Sequence, residues 1–62
     1  MKVYVNNRAF HILPGMTVKH LLISAGLLKE IEQGKRIVDE WENEIGLAGE
    51  LTEGERIFVV SH

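Results

Sequence analysis

Three histidines, His11, His20 and His62, are the residues of this chain that could move a proton near neutral pH or ligate a metal. Their placement suits neither role. His11 points away from the apolar set of an alternating segment, and His20 falls opposite the apolar stripe of a helical one, so the two diverge and read as surface histidines. No HxH or HExxH spacing or paired-carboxylate arrangement occurs, and Ser24 and Ser61 lack the glycines that set a nucleophile on a sharp turn. Cysteine is absent, which excludes disulfides, thiolate zinc and iron–sulfur clusters. The glycines, Gly46 and Gly49 included, form no phosphate loop. The chain therefore reads as a protein that is not an enzyme and holds no cofactor or metal.

Side chains suited to binding are easier to find. Trp41 is the lone tryptophan, set in Asp39-Glu40-Trp41-Glu42-Asn43-Glu44. It either packs over a sheet edge or stands among the carboxylates as an interface anchor, the role in which tryptophan is enriched. The net charge of −2 divides unevenly: six basic and two acidic residues up to Val38, one basic and seven acidic from Asp39 onward. The acidic half is either a solvated rim or a docking surface for a basic partner. It argues against nucleic acid, whose phosphates require clustered Lys and Arg.

The elements that position these residues can be read from patterning. With 62 residues the chain is one domain, residues 1–62, near the lower size at which a single core suffices. Lys2-Val3-Tyr4-Val5 alternates as a strand, Asn6-Asn7 suits a tight hairpin turn, and Ala9-Phe10-His11-Ile12-Leu13 returns until Pro14-Gly15. Val3, Val5, Phe10 and Ile12 should face the core. Thr17 caps a helix that begins at Val18 and stops at Gly26. Val18, Leu21, Leu22 and Ala25 form its apolar stripe, and Ile23 lies off it, facing either a loop or solvent.

Lys29 to Gln33 suggests a helical turn before Gly34. Lys35 to Val38 reads as a third strand, and Glu42-Asn43 as a reversal into a short fourth strand at Glu44-Ile45. Gly46 and Gly49 loosen the stretch after it, Leu51 supplies an apolar anchor, and Thr52 to Glu55 turn the chain. Arg56-Ile57-Phe58-Val59-Val60 closes it as the most apolar strand, which belongs in the middle of a sheet. The order is β-β-α-β-β-β. No apolar run approaches membrane-span length and no signal peptide is evident, so the expected location is the cytoplasm.

So arranged, the chain resembles the β-grasp, ubiquitin-like domains, and among them the ThiS/MoaD sulfur-carrier family. The resemblance rests on the Asn6-Asn7 hairpin, on Leu13-Pro14-Gly15-x-Thr17-Val18-x-x-Leu21-Leu22, and on Leu51-x-x-Gly54-Glu55-x-Ile57 before the last strand. It implies an α+β fold, a mixed sheet of four to five strands with one helix packed across it. It also implies a protein partner, either an E1-like adenylyltransferase or a cofactor-biosynthesis enzyme, docked on the sheet face opposite the helix. Two of Tyr4, Phe58 and Val60 are expected on that face, and Trp41, where it stands exposed, is a further candidate contact.

In that family the last strand continues into a tail ending Gly-Gly, whose carboxylate carries the sulfur. This sequence instead ends Val59-Val60-Ser61-His62, so Ser61 and His62 stand where the tail would begin. The expectation is an interaction protein that does not itself carry sulfur. Two alternatives are a sulfur carrier for thiamin or molybdopterin synthesis with a lost tail, and a TGS-like regulatory or RNA-binding module.

Overall fold

The computed structural model describes residues 1–61. The first strand, β1 (Lys2–Val5), pairs antiparallel with β2 (Arg8–His11). Asn6 and Asn7 both adopt left-handed backbone, φ 50° and 69°, the geometry of the mirror-image turns whose twist matches a hairpin. Asn6 also ties this turn to the last strand, because its Oδ1 accepts the Val59 N–H at 3.0 Å.

The first helix, α1, runs Val18–Ala25. Thr17 is extended before it, and Gly26 ends it at φ 74°, a conformation that costs a residue without Cβ little. Val18, Leu21 and Leu22 are buried, Ala25 is half-buried, and Ile23 faces solvent at 53% exposure. Two free N–H groups of its first turn are met by the 47–50 segment: Val18 donates to the Gly49 carbonyl at 3.0 Å and Lys19 to that of Leu47 at 2.9 Å. Gly49 is therefore not a loosening residue. A Cβ there would lie 3.1 Å from the Gly46 carbonyl oxygen and 3.2 Å from the Ile45 side chain.

A second helix corrects the expectation of one. It is α2 (Leu28–Glu32), in place of the helical turn expected at Lys29–Gln33. Leu27 and Ile31, four residues apart, pack against the core, whereas five residues are too few to display a helical period in the sequence. The remaining strands are β3 (Arg36–Asp39) and β4 (Arg56–Val60). Glu44-Ile45 does not become a strand: Glu44 makes one isolated bridge to Val38, and the Ile45 N–H reaches the Ile37 carbonyl at 2.9 Å.

The result is an α+β fold with a mixed four-stranded sheet in the order β2-β1-β4-β3 and two short helices. The last strand lies inside, parallel to β1 and antiparallel to β3. Val3, Val5, Ile12, Ile37 and Ile57 meet Val18, Leu21, Leu22 and Leu51 in one core cluster, so α1 covers one face of the sheet. Phe10 packs at its margin, half-buried. No helix among the described residues is long and apolar enough to cross a membrane.

Candidate functional site

Strand alternation divides the sheet into a core face and a second face, and the register assigns each residue. Tyr4 is opposite Arg56, Val38 opposite Phe58, and Arg36 opposite Val60. Ile57 and Val59 pack with the core, so Arg56, Phe58 and Val60 stand on the second face, beside Lys2 and Tyr4 of β1 and Arg36 and Val38 of β3. Tyr4, Phe58 and Val60 are half-buried there, while Lys2, Arg36 and Arg56 are exposed. Val38 is 6% exposed, shielded where Phe58 and Glu44 flank it. All three apolar residues singled out from the sequence therefore share this face.

The cations were missed by that reading, although Lys2-x-Tyr4, Arg36-x-Val38 and Arg56-x-Phe58-x-Val60 carry them at a period of two. Arg56 is the most constrained of them. Its guanidinium carbon lies 4.3 Å from the centroid of the Tyr4 ring, and the Lys2 ammonium lies 5.7 Å from the same centroid. Within β1, β3 and β4 no acidic residue occupies this face, Glu44 standing at its edge opposite Val38, and the one ion pair among the described residues, Lys35–Glu30 at 2.9 Å, lies elsewhere.

Trp41 does not pack over the sheet edge; it is 74% exposed. The turn that holds it is built by Asp39, whose Oδ1 accepts the Trp41 N–H at 2.9 Å and the Asn43 N–H at 2.8 Å. Its Oδ2 takes the Asn43 side-chain amide at 3.3 Å. The Asn43 N–H does most to hold the Asp39 carboxyl below the usual carboxylate range. Glu42, at φ 65°, completes a reversal in which four backbone and side-chain groups of Asp39 take part. An open cavity of about 390 Å³ joins Trp41 to the second face, lined by Asp39, Glu40, Glu53, Glu55 and, at its junction with β4, Arg56.

The histidines are not brought together. His11 is exposed on the edge strand β2, and His20 caps α1, its Nδ1 accepting the Thr17 N–H at 3.0 Å. Among the described residues no group of three His, Asp or Glu side chains is placed to hold a metal ion. Ser61 is exposed after β4, and His62 lies outside the described residues. A second cavity of about 390 Å³, between Met1, Met16 and Leu51, is lined by none of the candidate binding residues Tyr4, Trp41, Phe58 and Val60. No protein-family model, curated protein or solved structure matches the chain.

Proposed function

We propose that this protein is a β-grasp, ubiquitin-like interaction domain of the ThiS/MoaD type that acts in the cytoplasm by docking another protein on the second face of its sheet. The β-grasp reading is supported by the strand order, with the final strand between β1 and β3 and parallel to β1, and by α1 crossing one face. The docking reading is carried by one observation. Tyr4, Phe58 and Val60 lie on one face of adjacent strands, opposite the face on which α1 packs, although a chain this small has few apolar side chains to leave outside its core. An E1-like adenylyltransferase or a cofactor-biosynthesis enzyme is the partner type that the family resemblance suggests.

The test is the Phe58→Asp variant. The proposal expects it to fold, with a melting temperature a few degrees below that of the parent, and to lose the bound partner recovered with the tagged parent protein from its native cell. Partner recovery unchanged by the substitution contradicts the proposal. Mass spectrometry of the native protein separates an interaction domain from a sulfur carrier, because one sulfur-for-oxygen exchange at its C-terminal carboxylate identifies a carrier.

A further inference from the structure

We infer that the second face of the sheet takes an acidic protein segment, seating a carboxylate between Arg56 and Lys2 beside Tyr4 and an apolar side chain on Phe58 and Val60. The inference rests on the docking reading above and adds the chemistry of the occupant. It also reverses the charge expected of a partner from the acidic second half of the sequence. Most of those carboxylates stand on the turns at 40–42 and 53–55 or, like Glu50, on the bridge to Thr17, and Asp39 lies on the core side of β3; within the strands this face carries Lys2, Arg36 and Arg56, with Glu44 at its β3 edge opposite Val38.

Of the four carboxylates that line the cavity with Arg56, three, Asp39, Glu53 and Glu55, accept backbone N–H groups of this chain. Glu53 Oε2 accepts the Lys2 N–H at 2.9 Å, and Glu55 Oε1 accepts the Thr52 N–H at 3.0 Å and its hydroxyl at 3.2 Å. Neither lies within ion-pair distance of Arg56 or Lys2. Arg56 is held against Tyr4, so its fork of donors meets a carboxylate with less side-chain freedom left to lose. Complementarity of this kind fixes which partner is accepted as much as how tightly it binds. An RNA strand would find the same cations and Tyr4, but also the acidic turns around Trp41 at the end of the face.

The inference is tested on the full chain with three probes: the blocked peptide Leu-Glu-Glu-Leu-Glu-Glu-Leu, the same peptide with lysine for glutamate, and oligouridylate. The acidic peptide should shift the amide resonances of Tyr4, Arg56, Phe58 and Val60, and its affinity should fall as salt rises. Arg56→Glu should weaken it about tenfold, whereas Arg56→Lys should stay within about threefold. Arg56 is solvent-exposed, and a thermal melt of each variant confirms folding. Tighter binding of the lysine peptide or of oligouridylate overturns the inference. So does absence of shifts on this face, indifference to Arg56→Glu, or self-association that fills the face with a second copy. If the acidic peptide fails while Phe58→Asp still abolishes partner recovery, the occupant is wrong and the docking face stands.

Discussion

The Arg56 guanidinium carbon sits 4.3 Å from the centre of the Tyr4 ring, across the parallel pair formed by β1 and β4. These two residues are register partners from opposite ends of the chain, so the contact forms only when the last strand has entered the sheet. At a partly exposed site such a contact contributes about 0.5–1 kcal/mol. Tyr4→Phe keeps the ring and should leave stability within about 0.5 kcal/mol, whereas Tyr4→Leu should lower it by about 1 kcal/mol. Urea denaturation of the two variants checks this, and equal losses would show that the ring's electrons do not matter.

Asp39 makes the Trp41 turn sensitive to acid. Its folded carboxyl ionises below the usual range because the Asn43 N–H, and then that of Trp41, bind the charged form. The unfolded chain has an ordinary value, about 4. Above about pH 4 both states are ionised and the stabilisation is fully present. As pH falls below that value the unfolded state takes up the proton first, and the contribution drains away until the folded value is passed. Urea midpoints measured from pH 7 to 2.5 should fall with acid in the parent. Asp39→Asn should begin lower at pH 7 and show a shallower decline.

Gly49 carries a steric prediction. Its carbonyl receives the first N–H of α1, and a Cβ would meet the Gly46 carbonyl oxygen at 3.1 Å, the Ile45 methyl at 3.2 Å and the Val18 methyl at 3.4 Å. Gly49→Ala should destabilise by about 1–3 kcal/mol, the range for overpacked sites. Gly46→Ala, which meets nothing within 4 Å, serves as the control for adding a methyl group to the same loop.

The two faces of β4 should separate cleanly. Ile57 is fully buried and Val60 half-buried on the other side. Ile57→Ala should cost about 2–5 kcal/mol, enough to leave a domain of this size mostly unfolded. Val60→Ala should cost no more than about 1 kcal/mol. Comparable losses at both positions, read by chemical denaturation, would mean that the second face is a core.

Legibility in the sequence tracks the strength of local signals. The hairpin is legible because Asn6-Asn7 tolerates positive φ between alternating strands, and α1 because Thr17, Gly26 and a stripe at helical spacing agree. The central position of β4 is legible from its apolar residues on both faces. Helix α2 reads only as a turn, since its five residues show no period, and Glu44-Ile45 looks like a strand because a single bridge needs the same extended backbone. Trp41 is not decided locally: its exposure comes from the hydrogen bonds of Asp39, which stands in the sequence only as one acid among several. The cations of the second face are legible by parity with Tyr4 and Phe58, but counting charge along the chain instead of across the sheet hides them.

Docking through the second face is tested most directly by photo-crosslinking. A benzophenone side chain placed at Phe58, and in a separate preparation at the solvent-facing Ile23 of α1, is activated in the native cell and the adducts are sequenced. The account predicts a discrete protein adduct from position 58 and none of that identity from position 23. Adducts from position 23 alone, or the same adduct from both, would contradict it.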